Sequence, residues 1–402
     1  MIDLNAGHAA LFDGLRPQAP DALLSLISLF RNDPREHKLD LGVGVYKTEE
    51  GVTPVLRAVK AAERILLETQ GSKSYLGPEG DMGFVEALKP IVFGGSAGGE
   101  ELFGVQTPGG TGALRLACEL INAARPGARV WLGTPSWPNH APIIASAGLK
   151  TATYSWFDPV TQTVRFDEMM AALNKAQAGD VALLHGCCHN PTGADLTLDQ
   201  WKTVAHVVAA RGLLPLIDLA YQGLGEGLEA DAAGARLVIE AVDDALVAYS
   251  CDKNFGLYRD RTGALFTVNR NADRADLVRS NILALARANW SMPPDHGGAV
   301  ARIVLEDAAL AADWRVELEE MRVRIASVRV ALADADPRLD GLRRQHGMFS
   351  LLPVSPAQVS HLRSAHAVYM AGSGRINLAG LTAATVPVFA QAFAACLEGE
   401  FA

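Results

Sequence analysis

Five short apolar runs constrain the fold of this chain most: ARVWLG (128–133), GDVALLHG (179–186), LLPLIDLA (213–220), DALVAYS (244–250) and ALFTVN (264–269). Short and apolar throughout, they read as buried strands. Longer amphipathic segments separate them, and strands alternating with helices in this way build a mainly parallel sheet with helices on both faces. Helical spacing predicts helices over 111–124, 198–210 and 232–241. The charged, periodic segment DWRVELEEMRVRIASVRVAL (313–332) reads as a long helix bridging the sheet domain to a C-terminal domain that holds residues 333–402. The first 45 residues or so are expected to pack with that C-terminal part, which makes the small domain discontinuous: residues 1–46 and 316–402, with 47–315 as the large domain. The glycine-rich run GGSAGGE (94–100) reads as a loop.

With 402 residues the chain exceeds what one hydrophobic core usually serves, so two domains are the expectation. No apolar stretch approaches the roughly 18 residues that a membrane-spanning helix needs. The opening residues MIDLNAGHAALFDGLRPQAP lack the basic and apolar regions of a signal peptide. Five cysteines are an odd count that argues against a disulfide framework, and together these features predict a cytoplasmic protein. A net charge of -9 argues against a nucleic-acid groove, so any bound anion is held by a few placed arginines.

In parallel sheets ligands bind beyond the carboxyl ends of the strands, and four such places stand out. TPGGTGALRLA (107–117) is a glycine-rich turn opening into a helix, where free amides at Gly110 and the hydroxyl of Thr111 suit a phosphate. The same turn serves equally as a tight helix entry, and Arg115 stands where a dinucleotide fingerprint wants glycine. In GTPSWPNHAP (133–142), Trp137 offers a flat ring at a strand end, either packed in the core or stacked on a ligand. LLHGCCHNPTGADL (183–196) has the wrong spacing for zinc, so no metal is expected, and its turn presents the amide of Asn190. In LLPLIDLAYQGLG (213–225), Asp218 lies inside an apolar strand, where an ionised carboxylate requires a partner, and Tyr221 follows three residues on.

Lys253, just past DALVAYS, is a nucleophile candidate if its surroundings keep the amine partly neutral, with a solvated loop lysine as the alternative. Arg261 and Ser250 suit a phosphate. One ligand uses all of these groups: pyridoxal 5'-phosphate. Lys253 forms the Schiff base, Asp218 pairs with the protonated ring nitrogen, Tyr221 and Asn190 reach the ring oxygen, Trp137 stacks, and Gly110, Thr111, Ser250 and Arg261 hold the phosphate.

These residues also carry a family resemblance. TPGGTGALR, SWPNH, HGCCHNPTG, DLAYQG, KNFGLYRDRTG, RANWSMPP, GMFS and SGRINLAG, in order from LDLGVGVYK (39–47) almost to the C-terminus, resemble the class I aminotransferases, in the aspartate and aromatic-amino-acid subgroup. The resemblance implies an α/β architecture of pyridoxal-phosphate fold type I: a large domain with a mainly parallel seven-stranded sheet flanked by helices, plus a smaller α+β domain. It implies a homodimer with active sites at the subunit interface, amino-acid and 2-oxo-acid substrates, and Lys253 as the base for the proton shift at the α-carbon. His140 would support Asp218, and Tyr75 would reach the cofactor phosphate of the neighbouring subunit. Arg375 would grip the substrate α-carboxylate beside Asn190, Trp137 and the backbone of Gly44. Arg287, an ordinary surface arginine without this resemblance, would meet a dicarboxylate's distal group from the other subunit.

Three positions depart from the family pattern: Asp252 where a small residue precedes the lysine, Met292 where asparagine is common, and Ser74 before Tyr75. Val45, Lys47 and Thr53 look like the aspartate type, so the donor preference among aspartate, tyrosine and phenylalanine stays open. A β-lyase or decarboxylase on the same cofactor, or a ligand-binding module that has lost activity, are the alternatives. A carboxylate beside a bound phosphate is repelled, so the Asp252 side chain is expected to turn away from the site and pair with a nearby cation or solvent.

Overall fold

The five apolar runs pair side by side because each has two faces to bury. In the computed structural model, which describes residues 12–17, 22–96 and 101–398, seven strands form one sheet. Their order is Leu102–Pro108, Thr262–Asn269, Asp244–Ser250, Leu214–Leu219, Val181–His185, Arg129–Thr134, Lys150–Ser155. Thr262–Asn269 runs against both of its neighbours, and the other six share one direction. The two strands outside the five runs are the edges. Lys150–Ser155 is KTATYS, polar because an edge strand faces water. Leu102–Pro108 carries Gln106 and Thr107, both buried. The Gln106 amide accepts from Asp81 N and donates to Pro294 O, which removes the cost of burying it.

The expected helices appear as Gly109–Ala124, Leu198–Arg211 and Leu228–Glu240. Thr197 and Gln200 form a reciprocal capping box that starts the second of these. The bridging helix is longer than its periodic core, Ala308–Ala335, because the Asp307 carboxylate accepts from Ala309 N and Leu310 N and so moves the start upstream. Its first half, with Trp314, Leu318, Met321 and Ile325, packs into the main core. Val328 and Leu332 join a second apolar cluster with Leu41, Ile376 and Phe389. The GGSAGGE run begins as a short 3-10 turn, Gly94–Ser96, and residues 97–100 lie outside the described residues.

Residues from both ends of the chain meet beside this second cluster. Leu39–Asp40 pairs in parallel with Val368–Tyr369, and Phe349–Leu351 pairs antiparallel with Arg375–Asn377. These pairings bring the 42–44 backbone against Arg375, whose Nη2 donates to Gly42 O at 2.8 Å. Among the described residues, no helix is long and apolar enough to cross a membrane.

Candidate active site

The carboxyl ends of the parallel strands converge on a cavity. Gly110, Thr111, Trp137, His185, Asn190, Asp218, Tyr221, Ser250, Asp252 and Lys253 line it, with Leu114 and Ala220. His185, Asp218 and Ser250 stand in the last residues of their strands and the others on the segments that follow a strand, as expected for a sheet of this kind. The contrary strand contributes as well. Its start lies at the same edge, Thr262 opposite Pro108 and Gly263 opposite Ser250, so Arg261 just before it reaches the rim. Gly263 makes this crossing possible, since a Cβ there would lie 2.5 Å from Tyr249 O and 2.6 Å from Gly109 C. Arg261 itself holds a left-handed φ of 55°.

Asp218 is buried at the floor, and its Oδ2 lies 2.9 Å from His140 Nε2. Ser136 Oγ bridges His140 Nδ1 at 2.8 Å and His185 Nε2 at 3.0 Å. Burial pushes the Asp218 carboxyl up, but the hydrogen bond and charge of His140, with the charge of Lys253, more than offset it and hold it low. His185 is driven down to about 3 by burial and by the neighbouring His140, so it stays neutral. Sequence reasoning missed Ser136 and His185. The signal for Ser136 is its place four residues before His140.

Lys253 is half-buried, its Nζ 5.2 Å from the centre of the Tyr221 ring. Burial lowers its pKa, the charges of Asp252 and Asp218 push the other way, that of Arg261 lowers it again, and the net direction is down. An amine with weakened basicity has the neutral fraction that nucleophilic and proton-transfer chemistry needs. Asn190 Nδ2 donates to the Tyr221 hydroxyl at 3.2 Å, and burial keeps that phenol protonated.

Asp252 overturns the expectation that it turns away. It is 5% exposed and lines the cavity, with Oδ2 accepting from Arg261 Nη1 at 2.5 Å. The repulsion argument assumed a site already filled by phosphate; the guanidinium that would hold that phosphate attracts the carboxylate inward instead. The expected cation partner is therefore Arg261 itself.

The remaining expected residues lie outside the cavity lining. Arg375 sits 4.6 Å over the Phe349 ring, its Nε buried without a partner among the described residues. Gly44 packs against Phe349, whose ring a Cβ would meet at 2.8 Å. Arg287 is exposed, its guanidinium donating to the Ser291 hydroxyl, and Tyr75 is 92% exposed. Cys187 and Cys188 lie with Asp231 close enough to share an ion. The Asp231 carboxylate is already taken by the amides of Gly223, Gly225 and Glu226, and the Cys188 thiol is raised by its hydrogen bond to Cys187 and by burial.

The lining fits pyridoxal phosphate. Asn190 Oδ1 and Asp252 Oδ1 are buried without partners among the described residues, which marks a place for a polar ligand. Trp137 offers a ring face, Asp218 an ionised carboxylate, and the Gly109–Ala124 helix a start with free amides.

Known proteins agree with this geometry. Residues 36–393 match the family model described as aminotransferase class I and II. A tyrosine aminotransferase of Rhizobium meliloti (strain 1021) is 54% identical over 95% of this chain and 99% of its own. An aspartate aminotransferase of Escherichia coli (strain K12) is 43% identical over 96% of this chain and 100% of its own. The solved aromatic-amino-acid aminotransferase from Burkholderia pseudomallei, covalently bound to pyridoxal phosphate, superposes with a TM-score of 0.94 at 38% identity, covering 97% and 100% of the two chains. The chain belongs to the class I and II aminotransferases, in the pyridoxal-phosphate-dependent subgroup of aspartate and aromatic-amino-acid transaminases.

Proposed function

We propose that this transaminase moves the amino group from aspartate or an aromatic amino acid, tyrosine or phenylalanine, to 2-oxoglutarate by a ping-pong mechanism. The observation that carries the reading is the pairing, in one cavity, of a lysine of lowered basicity with a buried carboxylate kept ionised by His140. The relatives named for tyrosine and for aspartate support both classes of donor.

When bound, pyridoxal phosphate supplies a carbonyl that condenses with amines and a protonated ring that withdraws electrons from the substrate α-carbon. Asp218 would pair with the protonated ring nitrogen, and Lys253, its basicity lowered by burial, would anchor the group through Nζ and serve as the base at the substrate α-carbon. Tyr221 and Asn190 would orient the ring, Trp137 would stack on it and exclude water, and Gly110, Thr111, Ser250 and Arg261 would hold the phosphate. Arg375 forks the substrate α-carboxylate, with Asn190, Trp137 and the Gly44 backbone alongside.

The distal carboxylate of a dicarboxylic substrate is held by Arg287 of a second copy of the chain, and the phosphate by that copy's Tyr75. Two observations support a homodimer with shared sites. Arg287 is an exposed cation with no carboxylate partner among the described residues, and Tyr75 exposes 92% of a large ring that no monomer core covers. The apolar cluster that gathers Leu41 with Val328, Leu332, Ile376 and Phe389 supports a discontinuous small domain, residues 1–46 and 316–402, beside a large cofactor domain, residues 47–315, although Leu318, Met321 and Phe349 pack into the main core. We assign the protein to the cytoplasm, in keeping with its buried, unpaired cysteines.

Turnover with 2-oxoglutarate and each donor tests the reading, with product identity as readout: oxaloacetate and glutamate from aspartate, not pyruvate, ammonia or carbon dioxide. Lys253→Ala should lower kcat by at least about a thousandfold, since it removes both the covalent anchor and the base. It should also abolish the cofactor adduct that borohydride fixes on the wild-type protein. A wild-type protein that binds no pyridoxal phosphate overturns the reading.

A further inference from the structure

We propose that Asp252 is an internal competitor for the cofactor's phosphate: it occupies the guanidinium of Arg261 and makes this chain hold that phosphate more loosely than an uncharged residue would. The proposal rests on the functional reading above and concerns the same cavity.

Three observations place the carboxylate in the anion site. Its Oδ2 accepts from Arg261 Nη1 at 2.5 Å, and that same nitrogen also donates to Tyr258 O at 3.1 Å, so one edge of the guanidinium is fully engaged. A Cβ placed on Gly109, in the turn that starts the helix, would meet Arg261 Nη2 at 2.7 Å and Asp252 Oδ2 at 3.4 Å. The ion pair therefore lies against the backbone that supplies the free amides. Finally, the backbone N–H of Asp252 donates to Ser250 Oγ at 3.2 Å, so the residue that carries the carboxylate also holds the Ser250 hydroxyl in place.

The second carboxylate oxygen, Oδ1, is buried and unpartnered among the described residues, in a side chain only 7% exposed. An anion in that position costs desolvation and keeps a single strong contact, the one to Arg261. A phosphate arriving at the helix start meets a guanidinium already neutralised and a carboxylate of like charge beside it. It must share Arg261 or displace Asp252, and either course weakens the grip relative to a free arginine. The pair lies beside Gly109 and Ser250, groups that would hold the phosphate, so the penalty should fall on that group more than on the ring.

Equilibrium titration of the full chain, freed of cofactor, compares wild type with Asp252→Asn and Asp252→Ser. Three probes are used: pyridoxal phosphate, pyridoxal, which lacks the phosphate, and inorganic phosphate. Both variants should bind pyridoxal phosphate and inorganic phosphate about tenfold more tightly than wild type, with pyridoxal unchanged within about twofold. Equal or weaker phosphate binding in both variants overturns the proposal and makes Asp252 a residue that orients Arg261. An equal gain for pyridoxal also overturns it, since the effect would then run through the adjacent Lys253 amine. A wild-type protein that binds inorganic phosphate but no pyridoxal phosphate defeats the functional reading alone, and the phosphate titrations still decide the role of Asp252.

Discussion

The carboxylate of Asp218 and the imidazole of His140, 78 positions apart in the chain, lie 2.9 Å from each other at the floor of the cavity, and both are buried. The bond answers the requirement that an acid inside an apolar strand have a partner, and it holds a carboxylate of the cavity lining in its ionised form.

His140→Ala removes the strongest influence opposing burial, so the Asp218 pKa rises. The ionised carboxylate is present above its pKa and lost below it. The acid limb of the pH profile of kcat/KM therefore moves to higher pH, and the neutral-pH rate falls by about ten- to a hundredfold, the usual cost of losing an orienting partner. A variant with an unshifted acid limb would show that His140 does not tune Asp218.

Arg375→Lys keeps the charge and loses the planar fork. With Nε free of partners and the guanidinium resting on Phe349, the side chain is set for a bidentate carboxylate. The variant should lower kcat/KM for every amino-acid substrate by about ten- to a hundredfold, a loss of one charge-assisted bond. Steady-state kinetics with aspartate and phenylalanine check that the two fall together.

Arg287→Ala separates the substrates instead. The efficiency for aspartate should fall by about a hundredfold, while that for phenylalanine stays within about threefold, because only the dicarboxylate leaves a charge unpaired. Equal losses for both donors would assign Arg287 to structure and not to specificity.

Trp314 anchors the turn that carries the lysine. It is fully buried, stacks on Phe255 at 4.5 Å between ring centroids, and donates from Nε1 to Asn254 O at 2.8 Å. Trp314→Ala should cost about 3–5 kcal/mol of stability, and Trp314→Phe, which keeps a stacking ring and loses the hydrogen bond, about 1 kcal/mol. Urea unfolding of the two variants reads both values.

Much of the cavity was legible because its residues follow strands. Asn190, Asp218, Tyr221 and Lys253 each stand just inside or past an apolar run, and the rule that ligands gather at carboxyl ends brings them together without any coordinates. Ser136 and His185 escaped because the one available signal, Ser136 four residues before His140, does not say that the hydroxyl bridges two imidazoles. Its role comes from the 2.8 and 3.0 Å separations that folding creates.

Local periodicity and composition were enough for five of the seven strands of the main sheet, the main helices and the residue types at their ends; the two edge strands carry no such apolar run. Folding decided the rest: the contrary direction of Thr262–Asn269, the parallel pairing of Leu39–Asp40 with Val368–Tyr369 by which the two chain ends meet, and the inward turn of Asp252 onto Arg261. Asp252 shows why. Its neighbours in sequence suggest a carboxylate repelled by phosphate, yet a hydrogen bond to a guanidinium depends on the registry of two strands running in opposite directions. No local pattern encodes that registry, because it is set by the packing of the whole sheet.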